Sequence, residues 1–254
     1  MAIPLRKPNE ISKLRTASQA VAKTLQYLNQ NVKAGMTLKE VDTMGEKFLR
    51  DLGARPSFKG LYGFPAAVCT SLNEVIIHGI PDDTILKEGD ILGIDIGSEI
   101  DGWYGDAAIT MPIGKISKED EELIACSKDA LYYAIDIIKD GMRFKELSKE
   151  IENFIVARGY EPLVRFCGHG IGKKPHCEPE IPNYVDAPNF KSGPKIKNGM
   201  VFCLEPMICQ KKREPVILEN EWDVVSEDRL RGSHYEHTVA VIDGKAVILS
   251  KVEE

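Results

Sequence analysis

Four carboxylates and one imidazole stand in short motifs that could together build a divalent-metal site: Asp95 in IDIG, Asp106 in YGD, His169 in GHGIG, Glu205 in LEPM and Glu236 in YEHT. An oxygen-rich set with a single nitrogen suits borderline ions such as Mn, Fe, Co or Zn, whereas a structural zinc is usually built on thiolates. The chemistry such ions bring is hydrolysis, because they polarise a carbonyl and acidify a water. Asp95 lies inside the apolar run ILGIDIG. An unpaired carboxylate buried there is costly, so a metal or a positive partner is expected. Glu205 sits in VFCLEPM, where the following proline favours extended backbone and suits a strand end aimed into a cavity; a buried ion pair is the alternative. Glu236 alternates with apolar neighbours in HYEHTVAVI as strand residues do. The glycines around His169 suggest close backbone approach or positive φ.

The two aspartates admit a geometric expectation. Asp101-Gly102 between two strand-like runs reads as a type I′ hairpin turn. Pairing outward from it sets Asp106 opposite Gly97 and Asp95 opposite Ala108. Residues two apart share a strand face, so both aspartates share one. They become diagonal neighbours about 7–8 Å apart, within reach of two ions about 3.5–4 Å apart. Taken alone, Gly105-Asp106 would read as ordinary turn chemistry with an exposed carboxylate.

The elements that must position these residues are stated twice. Val32–Gly53 and Ile138–Gly159 align without gaps, and 8 of 22 positions are identical, including Gly35/Gly141 and Gly53/Gly159. Each copy reads as a helix end, a glycine turn and a second helix closed by glycine, with Thr37 and Glu40 forming a capping box in the first. Long helices with apolar spacing precede both copies, through Ile11, Leu14, Val21 and Leu28 and through Leu123, Ala130 and Ile138 after a Ser117 cap. Strands are expected at 66–70, 74–78, 91–96 and 103–111, then at 161–167, 201–209, 215–218, 236–242 and 246–250. This predicts an α/β (α+β) arrangement with mixed or antiparallel sheet and helices on one face. The candidate set keeps the same twofold order: His78, Asp95 and Asp106, then His176, Glu205 and Glu236, with His169 the addition. All five histidines lie in these segments.

The chain has 254 residues, a net charge of −6 and six cysteines without a CxxC pair. That length suits one large domain or two small ones, with core enough that no disulfide is needed. The amino terminus lacks an apolar signal segment, no apolar run reaches the ~20 residues of a membrane span, and mild acidity argues against nucleic-acid affinity. Reduced thiols and a cytoplasmic location are the expectation.

With SLNEVIIHGIP, GIDIG, YGDAAIT, FCGHGIGKKPH, FCLEPM and YEHT in order over nearly the whole length, the chain resembles the type I methionine aminopeptidases of the short bacterial form, within the pita-bread metallopeptidase family. The resemblance implies a single catalytic domain over 1–254, its pseudo-twofold halves near 9–112 and 117–250, and a central mostly antiparallel sheet covered by helices. It implies removal of the initiator methionine from nascent polypeptides, at the ribosome, where the second residue is small, by a monomer with two divalent ions (Co, Mn, Fe or Zn). Carried over by motif, Asp106, His169, Glu205 and Glu236 hold one ion and Asp95, Asp106 and Glu236 the other. Glu205 is then the expected proton shuttle for an attacking water, His176 the oxyanion stabiliser and His78 a contact to the peptide beyond the scissile bond. Phe58, Phe64, Cys69 and Trp222 are expected to line the methionine pocket. Phe58, Leu61, Phe64 and Pro175 depart from the commonest residues at those places.

Two other readings are a prolidase or aminopeptidase P, for which an additional amino-terminal domain is expected, and a non-enzymatic binding module on the same fold, for which loss of metal ligands is expected. All five ligands are present here.

Overall fold

The computed structural model describes residues 3–186 and 192–252. Helices α1 (Pro8–Asn31) and α2 (Leu38–Asp51) open the chain, followed by strands β1 (Arg55–Pro56), β2 (Val68–Leu72), β3 (Val75–Ile77), β4 (Ile91–Ile100) and β5 (Trp103–Pro112). Helices α3 (Lys118–Ile137) and α4 (Phe144–Val156) restart the pattern, followed by β6 (Glu161–Pro162), β7 (Cys167–Gly170), β8 (Cys177–Pro182), β9 (Val201–Leu204) and β10 (Met207–Cys209). The remaining strands are β11 (Pro215–Ile217), β12 (Val224–Ser226), β13 (Gly232–His234), β14 (Glu236–Ile242) and β15 (Lys245–Ile248).

Local signals explain the helix boundaries. Thr37 Oγ1 accepts from Glu40 N at 3.2 Å while Thr37 N donates to Glu40 Oε2 at 2.7 Å, closing the capping box before α2. Ser117 Oγ accepts from Asp120 N at 3.1 Å ahead of α3. The glycines matched between the sequence repeats all have positive φ: 92° and 87° at Gly35 and Gly141, 79° and 83° at Gly53 and Gly159. Each first glycine anchors its turn alike. Gly35 N donates to Leu86 O and Leu86 N to Met36 O, while Gly141 N donates to Ile196 O and Ile196 N to Met142 O.

The large sheet runs β1-β4-β5-β14-β9-β7-β8, with β2 also on β4 and β15 on β14, and every pairing within it is antiparallel. Side-chain alternation gives each strand two jobs. Leu92, Ile94, Ile96 and Ala107 pack in one core with Val21 and Leu28 of α1 and Val41 and Leu49 of α2. Phe202, Leu204, Val239 and Val241 pack with Leu123 and Leu131 of α3 and Leu147 and Ile151 of α4. The residues between them, Asp95, Asp106, Cys203 and Glu236, therefore project from the opposite face.

The expected strand 201–209 is not continuous. It breaks at Glu205-Pro206 into β9, in the large sheet, and β10, which pairs with β13 and β6 in a separate three-stranded sheet. Proline has no amide to donate to a ladder, so the strand changes sheets there and Glu205 sits at the seam. The expected strand 161–167 likewise splits into β6 and the first residue of β7, and β1, β8, β12 and β13 appear where none was expected. No described helix is long and apolar enough to cross a membrane.

Candidate metal centre and its cleft

Register assembles the site in two rows across the sheet. The turn at Asp101-Gly102 has φ of 52° and 72°, as a type I′ hairpin requires, and the pairing sets Asp95 opposite Ala108 and Gly97 opposite Asp106. Cys69 lies opposite Asp95, and Glu236 opposite Ala108. One row is therefore Cys69, Asp95, Ala108 and Glu236. Thr238 lies opposite Cys203, and its Oγ1 both accepts from Asp106 N at 3.1 Å and donates to Asp106 O at 2.7 Å. The second row is Gly97, Asp106, Thr238 and Cys203, and the pairing of Gly170 with Phe202 extends it towards His169. Ala108 is the small residue between two carboxylates. Gly97 is small for another reason, since a Cβ there would collide with Ser57 Oγ and the Phe58 ring.

Donor atoms of Asp106, His169, Cys203 and Glu236 all lie within 4.8 Å of one another. His169 Nε2 is 3.6 Å from Glu205 Oε1 and 3.9 Å from Asp106 Oδ2. These are not ion pairs, because burial pushes the pKa of His169 down to about 3 and leaves the ring neutral. Its Nδ1 lies 3.1 Å from Gly170 O. A proton on Nδ1 donated to that carbonyl leaves the Nε2 lone pair facing the carboxylates, as ligation requires.

The carboxylates themselves test whether a cation fits. Asp95 Oδ1, Asp106 Oδ1 and Glu236 Oε1 are buried without a hydrogen-bond partner among the described residues. Burial raises Asp95 to a pKa of about 7. Burial first, then facing carboxylates, raises Asp106, Glu205 and Glu236 well above the usual range: Glu236 and Asp95 act on Asp106, Asp95 and Asp106 on Glu205, Glu205 and Asp95 on Glu236. Such a group ionises together only around positive charge. No lysine or arginine forms an ion pair with it among the described residues, and the oxygen-rich donor set fits divalent metal ions.

All of the site residues expected from sequence line one cleft of about 570 Å³. Asp95, Asp106, His169, Glu205 and Glu236 all line it. Phe58, Phe64, Cys69 and Trp222 form an apolar end, and His78 and His176 also line it. Leu61 joins that end, while Pro175 is not among the lining residues. Phe64 and Trp222 meet edge to face at 5.0 Å. His78 has a positive φ of 61°, and its ring lies 5.5 Å from Phe166 and 6.4 Å from Trp222. The ring of His176 is edge-on to His169 at 4.3 Å. Burial lowers the pKa of His176, and it lowers His78 to about 4.

Sequence reasoning missed three contributors. Cys203 stands among the metal-type donors, two residues before Glu205. His234 Nε2 is 3.8 Å from Glu205 Oε2, two residues before Glu236. Asn183 Nδ2 donates to Glu205 O at 2.9 Å and holds that backbone at the sheet seam. Each of the first two lies two residues from an expected ligand, but a strand end falls between, after Leu204 for Cys203 and at Tyr235 for His234, so strand alternation gave no local signal for their facing.

Residues 12–243 match the model of metallopeptidase family M24. The chain is 58% identical over 254 residues to a methionine aminopeptidase of Helicobacter pylori, covering 99% of this chain and 100% of that one. It is 38% identical to methionine aminopeptidase 1 of Bacillus subtilis, covering 97% and 98%. The crystal structure of a methionine aminopeptidase from Thermotoga maritima superposes with a TM-score of 0.94 at 34% identity, covering 98% of this chain and 100% of that one. A prolidase from Pyrococcus furiosus shares the fold, with a TM-score of 0.79 at 23% identity, and this chain spans 66% of its length.

Proposed function

The chain belongs to metallopeptidase family M24, and from that premise we propose that its cleft removes the amino-terminal methionine of polypeptides by metal-dependent hydrolysis. The observation that carries this reading is the junction of a crowded buried carboxylate–imidazole cluster with an apolar pocket in one cleft, in a chain 58% identical end to end to a methionine aminopeptidase. Asp106, His169, Glu205 and Glu236 would hold one divalent ion and Asp95, Asp106 and Glu236 a second, with Co, Mn, Fe or Zn all compatible with these donors. Ions bound there supply Lewis-acid polarisation of the scissile carbonyl and make a water acidic enough to attack it.

The chain's own residues do the rest. Phe58, Phe64, Cys69 and Trp222 take the thioether side chain, for which a polarisable, aromatic-lined pocket is a good match. Glu205, at the edge of the ligand group, carries the proton from the attacking water to the leaving amine. The neutral ring of His176 donates to the carbonyl oxygen as it gains charge, and His78 contacts the peptide beyond the scissile bond. The unit is one catalytic domain with halves near 9–112 and 117–250, acting as a monomer on nascent chains whose second residue is small. Six free cysteines fit a reducing, cytoplasmic setting, where chains emerging at the ribosome would be the substrates.

The test is hydrolysis of Met-Ala-Ser and of Xaa-Pro peptides by chelated protein after single metals are added back. Methionine release restored by a divalent ion is expected. Cleavage of Xaa-Pro peptides alone would overturn the substrate, and full activity under chelation would overturn the mechanism.

A further inference from the structure

We propose that His234 is a positioning residue that holds the outer oxygen of Glu205. The inference rests on the reading of Glu205 as proton carrier. His234 is only 3% exposed, and its Nε2 is buried without a hydrogen-bond partner among the described residues. A buried polar nitrogen left unpaired is unfavourable, and this one faces Glu205 Oε2 at 3.8 Å. The other carboxylate oxygen, Oε1, faces His169 Nε2 at 3.6 Å. Glu205 therefore stands between two imidazoles, of which one belongs to the ligand set and the other does not.

The backbone that carries this ring is pinned on both sides. His234 N donates to Thr110 Oγ1 and Thr110 Oγ1 donates to His234 O, both at 2.9 Å. Tyr235 Oη donates to Thr110 O at 3.0 Å. In the β13–β10 ladder His234 pairs with Met207, two residues beyond Glu205. The residue that carries the ring and the residue it faces are thus tied through one short ladder, at the point where Pro206 ends β9.

At 3.8 Å the pair is about 1 Å beyond a hydrogen bond, a length that catalytic contacts commonly show before substrate arrives. Rotation of the flexible glutamate side chain closes it. Nε2 donates equally from the neutral Nε2–H tautomer and from imidazolium, so the contact does not depend on a charge at His234. Donation to Oε2 fixes the rotation of the carboxylate and keeps Oε1 directed at the ligand group, which is the pre-organisation a proton carrier needs.

The test compares His234→Leu, His234→Gln and Glu205→Gln with the wild type on Met-Ala-Ser at saturating Mn(II). Calorimetric Mn(II) titration of the chelated proteins accompanies the kinetics, with imidazole ¹⁵N NMR of the wild type and of Glu205→Ala. His234→Leu should lower kcat by about 10–100-fold with KM and Mn(II) stoichiometry unchanged. His234→Gln, whose amide nitrogen reaches the same place, should recover most of the loss. The wild type should show an exchange-protected Nε2–H on His234 that is lost in Glu205→Ala. An unimpaired leucine variant, a glutamine variant no better than leucine, a lost Mn(II) equivalent or an unprotected imidazole proton would each overturn the proposal. Full activity in Glu205→Gln would instead overturn the proton-carrier reading, and the imidazole signal would still report on the contact itself.

Discussion

Asp95 and Glu236 stand two strands apart on one face of the large sheet, each registered to Ala108 between them. A half-buried carboxylate and a buried one are thus separated by a single methyl group, and an ion held by both would lie over it. Ala108 is 1% exposed, so a larger side chain has nowhere else to go.

Ala108→Val should therefore fold but fill that space. Overpacking costs about 1–3 kcal/mol of stability, which a domain of this size tolerates. Misplacing ligands by about 1 Å costs about 100-fold in kcat/KM, and that loss is expected on Met-Ala-Ser. Calorimetry should show weakened Mn(II) binding. A variant that binds Mn(II) normally would mean the ions do not lie over Ala108.

Chelation should destabilise the protein in a pH-dependent way. The folded-state pKa of Asp95 is raised to about 7, so the stability it contributes without a cation is full below its ordinary value and is lost as pH rises towards 7. The raised values of Asp106, Glu205 and Glu236 act in the same direction. A cation held at about 100 times its Kd adds about 2.7 kcal/mol, or about 5–10 °C in Tm for a chain of this length. The gap between Mn(II)-loaded and chelated melting temperatures should be near that size at neutral pH and shrink towards pH 5. A gap that widens on acidification would contradict the assignment of these carboxylates as ligands.

The legible parts of the site were those fixed by short-range chemistry. A two-residue turn at Asp101-Gly102 determines every partner in its hairpin, so the Asp95–Ala108 and Gly97–Asp106 pairs followed from local rules. Which strand lies beyond β5 is a long-range matter: nothing near Asp106 in sequence points to β14, some 130 residues on, whose Thr238 clamps it. Cys203 and His234 escaped for the same reason, since their facing depends on strand edges that only tertiary pairing defines. Strand β8, CEPEIP, carries two prolines that hide it from propensity, and β12 and β13 are three residues each. Pro206 was visible, but that its strand would continue in a different sheet was not.

The apolar end of the cleft should control binding more than turnover. Trp222 meets Phe64 edge to face at 5.0 Å, and such a pair adds about 0.5–1.5 kcal/mol beyond buried area. Trp222→Ala should raise KM for methionyl peptides by about 2–12-fold, with a smaller effect on kcat. Steady-state kinetics on Met-Ala-Ser separates the two. A fall confined to kcat would move Trp222 out of the methionine pocket.

Asp42 lies outside the carboxylate cluster of the cleft and offers an independent electrostatic test. Its Oδ1 accepts from Ala67 N and Val68 N, both at 2.9 Å, and ties α2 to the start of β2. Burial is the largest influence on it and raises its pKa, against the lowering effect of those two amides. For a carboxyl with a raised folded value, the stability it contributes is present below its unfolded pKa, about 3.9, and declines as pH rises through the folded value. At neutral pH the charge is therefore a net cost, while the acceptor oxygen is a gain. Asp42→Asn keeps the oxygen and removes the charge, so it should melt at or above the wild type at neutral pH, with the advantage gone near pH 4. Asp42→Ala leaves two amides unpaired and should cost about 1–3 kcal/mol at either pH. Melting curves at both pH values decide it; an asparagine variant less stable than the wild type at neutral pH would show that the charge itself stabilises this corner of the fold.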